Sequence, residues 1–127
     1  MSSPIWLDRL IVEAIHFDQL RVHGGLPGIR DENALESALA RPRNKRGYDS
    51  SSDLAALAAA YGYGLVTSHP FVDGNKRVGF LAMYVFLGLN GLEIEAEELE
   101  VVELMVAIAA GRRSEQKIAT WLRRHLP

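Results

Sequence analysis

Nine consecutive residues, His69-Pro70-Phe71-Val72-Asp73-Gly74-Asn75-Lys76-Arg77, bring together a base, a carboxylate, an amide, two cations and a glycine. An imidazole titrates near pH ~6.5 when unperturbed, which suits His69 to remove a proton near neutral pH. The segment sits where a loop gives way to a helix, and the first turn of a helix offers unpaired N–H groups and the positive end of the macrodipole to phosphate oxygens. Gly74 lets the backbone approach an anion, and Lys76 and Arg77 add formal charge. Asp73 can hold Mg²⁺, an ion that binds through one or two carboxylates plus substrate phosphates. Taken singly, each residue has a plainer reading: a loop histidine before proline, an N-cap aspartate, two solvated cations. Their concentration in nine residues points instead to phosphoryl-group chemistry, with Phe71 as a core anchor that fixes the loop.

The elements that must position this segment are helical. Ile5, Leu7, Ile11, Ile15 and Leu20, with Trp6, Leu10, Val12 and Phe17 beside them, suit a first helix better than strict alternation. Gly24-Gly25-Leu26-Pro27-Gly28 ends it, and Asp31 can cap a short helix carrying Ala34, Leu35, Ala38 and Leu39 that stops before Pro42. Residues 43–52 are polar, basic and aperiodic, and read as an exposed loop or flap. From Asp53 the chain turns alanine-rich, with Gly62 and Gly64 admitting a close neighbour, which predicts a buried central helix. A second apolar helix runs from about Gly74 through Val78, Phe80, Leu81, Val85, Phe86 and Leu89 to the Asn90-Gly91 stop. Residues 97–110 repeat apolar positions up to a terminating Gly111, and Ser114 can cap a last helix bearing Ile118, Ala119, Trp121 and Leu122. Five or six helices, with a strand pair conceivable only at residues 92–96, predict an all-α bundle.

Composition narrows the setting. A chain of 127 residues fits one domain, residues 1–127. Its 48% apolar and 24% charged content excludes disordered and collagen-like classes. There is no Cys, so disulfide scaffolds, thiolate zinc sites and cysteine nucleophiles are excluded. No run nears the ~18 to 20 apolar residues of a membrane span, and Met1-Ser2-Ser3-Pro4 does not open like a leader, so a cytoplasmic address is expected. The 14 basic and 16 acidic side chains give a net charge of -2, unlike a sequence-independent DNA binder. The acidic run from Glu93 to Glu103 and the basic C-terminal group read as solvated faces.

The nine-residue segment resembles the signature of the Fic superfamily, His-x-Phe-x-Asp/Glu-Gly-Asn-Gly-x-x-x-Arg, matched at His69, Phe71, Asp73, Gly74 and Asn75. Lys76 stands where adenylylating members carry Gly, and Phe80 where they carry the later Arg. Asn75-Lys76-Arg77 resembles instead the death-on-curing (Doc) toxins of bacterial toxin–antitoxin pairs, although many of those have Ala at the position of Gly74. Gly28-Ile29-Arg30-Asp31, the segment from Leu35 to Pro42, the alanine-rich helix ending at His69-Pro70, and Asn90-Gly91 extend the likeness over most of the chain.

The resemblance implies a compact Fic-type helical bundle of five or six helices with an exposed flap loop. It implies transfer of the ATP γ-phosphoryl group to a threonine of elongation factor Tu. His69 would then take the proton of the target hydroxyl, Asp73 would bind Mg²⁺, and Gly74, Asn75, Lys76 and Arg77 would fix the nucleotide, with residues 43–52 as the flap beside the target's extended segment. It also implies a small antitoxin with a disordered C-terminal segment, since no Ser or Thr here is followed by the inhibitory pattern x-x-x-Glu-Gly/Asn of self-restraining Fic proteins. AMP transfer is the nearest alternative. A non-catalytic module that binds a nucleotide or partner is another, disfavoured by the intact His69 and Asp73. A metal-dependent hydrolase is weaker, because His16, His23 and His125 lack ligand spacing. Arg30-Asp31 reads as a helix cap with a surface partner, outside the catalytic set.

Overall fold

Four helix starts in this chain coincide with short polar side chains that can satisfy the first free N–H groups of a helix. Asp8 accepts from the Ile11 N–H, Asp31 from Ala34, Asp53 from Ala56 and Ser114 from Lys117. In the computed structural model, which describes residues 3–127, these caps open α1 (Arg9–His23), α2 (Glu32–Tyr48), α3 (Leu54–Ser68) and α6 (Glu115–Arg124). The two other helices, α4 (Asn75–Leu89) and α5 (Glu98–Ala109), begin at Gly74 and at a capping box between Glu97 and Glu100. Met1 and Ser2, part of the stretch read for a leader, lie outside the described residues. No helix among those described is long and apolar enough to cross a membrane.

The alanine-rich α3 is the centre of an all-helical bundle, packed by α2, α4, α5 and α6. Leu57, Ala58, Ala59, Ala60, Tyr61, Leu65 and Val66 on it are fully buried. Small residues let α4 come close: a methyl group on Gly62 would overlap the Met83 side chain, and one on Gly79 would overlap Val66. The Tyr61 hydroxyl accepts the Leu7 N–H at 3.0 Å, and burial raises its pKa above the ordinary phenol value.

Three local expectations are corrected. The first helix starts at Arg9, because Asp8 caps there and the preceding residues are held by distant partners. The Asn90 side chain brackets the Ile5 backbone, accepting its N–H at 2.8 Å and donating to its carbonyl at 2.9 Å. Residues 92–96 form no strand, and Glu95 instead donates its N–H to the His125 carbonyl at 2.7 Å.

The largest correction concerns the flap. α2 does not stop before Pro42 but continues to Tyr48, so most of residues 43–52 is helical and only the short connection before α3 is loop. A proline inside a helix forfeits one backbone bond and costs about 3 kcal/mol. Here its ring is buried, and α6 grips the helix on either side of it. Glu115 receives Arg41 Nε at 2.5 Å and Lys45 Nζ at 2.8 Å. The Arg43 guanidinium lies over the Trp6 ring, 5.5 Å from its centroid. Arg41, Arg43 and Lys45 of the basic cluster are therefore engaged within the chain, whereas the buried Arg46 Nη1 has no hydrogen-bond partner among the described residues.

Candidate functional site

The site begins where α3 ends. His69 is the C-cap of that helix in the left-handed conformation, φ 49° and ψ 58°, and no other non-glycine residue described has a positive φ. Such a backbone costs about 1–3 kcal/mol and persists only where the surroundings over-determine it. The next carbonyl, of Pro70, accepts the N–H groups of Arg30 at 2.7 Å and Asp31 at 3.1 Å. Ile29 and Phe71 pair as an isolated antiparallel bridge, and Val72 donates to the Gly28 carbonyl at 3.0 Å. The glycine-rich connection between α1 and α2 is thus stitched along the motif.

Phe71 is buried, as expected of an anchor, and stacks on the His16 ring with centroids 3.9 Å apart. The Asn75 side chain brackets the Phe71 backbone, accepting its N–H at 3.0 Å and donating to its carbonyl at 2.9 Å. Its amide is therefore committed to loop shape, and what it offers a phosphate is its backbone N–H. The Asp73 carboxylate accepts the Gly74 N–H at 2.9 Å and the Leu26 N–H at 3.2 Å. The Asp73 carbonyl accepts from His16 Nε2 at 2.9 Å, which places the shared proton on that nitrogen. Gly74, at φ 83°, opens α4 in a backbone state that a side chain would strain.

Around this turn lies a cavity of about 890 Å³ with two kinds of wall. His69, Asp73, Gly74, Asn75, Lys76 and Arg77 all line it, so the six residues singled out by type share one space. Val101, Val102, Met105 and Val106 of α5, together with Phe80, form its apolar side. His69, Lys76 and Arg77 are exposed, and among the described residues their side chains have no hydrogen-bond or ion-pair partner. Among the described residues no group of three or more His, Cys, Asp and Glu could hold a metal. Asp73 stands as a single carboxylate with lone pairs to spare beyond its two N–H contacts, which fits an ion completed by substrate phosphates and water.

Two supporting residues escaped the reading by residue type. His16 occupies the same helical stripe as buried Val12, four residues earlier, and a histidine on an apolar stripe was the available signal. Arg30, expected to have a surface partner, instead donates through its guanidinium to the carbonyls of His69 and Ser68. Asp31 does cap α2.

Comparison with known proteins bears on this geometry. The profile described as "Fic/DOC family" matches residues 6–87, a span that takes in α1 to α3, most of α4 and the whole motif. The chain is 32% identical over 111 residues to "Protein kinase doc" of Escherichia phage P1, covering 87% of each protein. It is 39% identical over 75 residues to "Toxin Doc" of Mycolicibacterium smegmatis, covering 58% of each.

Proposed function

As the chain belongs to the Fic/DOC family, we propose that it is a Doc-type toxin which transfers the γ-phosphoryl group of ATP to a hydroxyl of a translation factor, a threonine of elongation factor Tu, and so halts protein synthesis. The observation that carries this reading is the set His69, Lys76 and Arg77, without side-chain partners among the described residues, around a left-handed Gly74 at the α4 N-terminus, in one open cavity. Phosphoryl transfer asks a protein chiefly for positioning and charge neutralisation. The α4 N-terminal N–H groups, Lys76 and Arg77 hold the triphosphate, and Asp73 holds Mg²⁺. Mg²⁺, when bound, offsets phosphate charge. His69 takes the proton of the attacking hydroxyl, the hydroxyl oxygen bonds to the γ-phosphorus, and ADP leaves. The name of the phage P1 relative supports the kinase chemistry.

ATP labelled at either the α- or the γ-phosphorus tests the assignment. Label from the γ-position alone, with a mass gain of one phosphate on the target, is the expected result. Label from the α-position would transfer the protein to the adenylylating branch, a branch disfavoured by Lys76 and by the half-buried Phe80 at the cavity edge.

A cytoplasmic toxin needs restraint. The α5 wall, with Val102 and Val106 substantially exposed, suits the apolar face of an antitoxin segment that orders on binding. A short adjacent reading frame should encode that partner. Expression of this chain alone, verified by blotting, should arrest growth, and unchanged growth and translation would count against the toxin reading.

A further inference from the structure

We propose that Arg30 is a positioning residue for His69, a fork that holds the backbone of the base in its left-handed state; this rests on the reading of His69 as the base. The reason begins at the end of α3. The last carbonyls of a helix have no partner within it, and the usual remedy is an N–H donated from the residues just beyond the C-cap. Here the residue beyond the cap is Pro70, which has no N–H to give. A residue before proline is also pushed toward extended backbone, yet His69 sits at φ 49°. The Phe71 N–H is committed to Asn75 Oδ1, so neither residue beyond the cap closes the end of α3, and the last two carbonyls, of Ser68 and His69, are held by a side chain instead.

Arg30 does so from 39 residues away in sequence. Its Nε donates to the His69 carbonyl at 2.6 Å and its Nη2 to the Ser68 carbonyl at 2.8 Å. The guanidinium is planar, so two bonds to adjacent carbonyls define their relative orientation, and with it the turn that carries the imidazole. Its charge also suits the negative end of the α3 dipole. Arg30 is anchored in turn, because its own N–H and that of Asp31 bind the Pro70 carbonyl. Asp31 caps α2, so the fork is fastened to the start of one helix and closes the end of another. The Arg30 side chain does not line the cavity in which His69, Lys76 and Arg77 meet. Its effect is transmitted through the backbone, with no contact to substrate required.

The test compares Arg30→Lys and Arg30→Ala with the wild-type protein. Lysine keeps a cation near the end of α3 but cannot reproduce the two-pronged bond. Arg30→Lys should melt close to the wild-type temperature, while kcat falls about 10- to 100-fold with KM for ATP unchanged, the scale of loss expected from a misplaced catalytic group. In a His69→Gln background, Arg30→Ala should cause no further loss, because both changes act through one imidazole. The backbone NMR signals of His69 should move in both Arg30 variants. Full kcat in a folded Arg30→Lys, a raised KM with kcat intact, or losses that multiply in the double variant would each overturn the inference. Unmoved His69 signals in Arg30→Ala would refute the fork while leaving His69 as the base. Full activity of His69→Gln would instead remove the base assignment, and the inference with it, even if the NMR signals moved.

Discussion

Two cavities lie at opposite ends of α3, and they use charge in contrary ways. At the N-terminal end, a cavity of about 390 Å³ is lined by Lys45, Asp53, Glu115 and Arg123 among others. Glu115 is shared by Arg41 and Lys45, and Arg123 binds Asp53 through Nε at 2.8 Å and Nη2 at 3.0 Å. Burial pushes the Glu115 carboxyl up, yet the hydrogen bonds from Lys45 and Arg41 outweigh it and hold it below the usual carboxylate range. At the C-terminal end the larger cavity leaves His69, Lys76 and Arg77 without protein partners among the described residues. Crowded charge is therefore no guide to function by itself. Charges that satisfy one another hold helices together, whereas charges kept apart on a rigid turn are available to a ligand.

If that contrast is sound, substitutions at the two ends should divide cleanly between activity and stability. The largest effect belongs to His69→Gln, expected to lower the phosphoryl-transfer rate by roughly 10²- to 10⁴-fold with an unchanged melting curve. A folded variant transferring at the wild-type rate would break the comparison at its active end. Arg77→Ala should weaken ATP binding by about 10- to 100-fold, the scale of one charge-assisted hydrogen bond of ~1.5–3 kcal/mol, and leave urea stability within about 0.5 kcal/mol. Isothermal titration and a urea melt on the same sample would show whether the two readouts separate.

Glu115→Ala should do the reverse. Removing the carboxylate leaves Arg41 and Lys45 unpaired beside Pro42, and the expected cost is about 1–3 kcal/mol in urea unfolding, with transfer kinetics preserved. A loss of kcat matching that of His69→Gln would show that the two ends are not independent.

The smallest effect is a pH dependence at a third place, the α5–α6 junction. His125 stacks on Trp121 at 3.9 Å and faces Glu100 at 2.9 Å. The Trp121 carbonyl and then Glu100 raise its pKa above 6.5, and the same contact holds Glu100 below 4.5. The raised histidine contributes stability that is complete below pH 6.5 and is lost as pH rises through its folded value. The lowered carboxylate contributes stability present above pH 4.5 and lost as pH falls through its folded value. The junction is therefore strongest between these limits. Melting temperatures across pH 4 to 8 should show a shallow maximum there that Glu100→Gln flattens, and an identical profile in the variant would exclude the pair as its source.

What could be read without coordinates were the local terms. Asp31 and Ser114 announce helix starts because a cap reaches only three residues along the chain, and the buried α3 follows from the alanine-rich pattern of its own residues. The motif was legible for the same reason, as nine neighbours in one stretch. Tertiary structure alone decided which of two locally reasonable outcomes occurred. α2 passes through Pro42 because Glu115, more than seventy residues away, binds both Arg41 and Lys45. Ile5 and Leu7 stay out of α1 because Asn90 and Tyr61 take their backbone groups. His16 and Arg30 gain their roles only when the fold brings them to Asp73 and His69, 57 and 39 residues on. Side-chain type and spacing encode what a residue can bond to; which partner lies within three ångströms is set by how the helices pack.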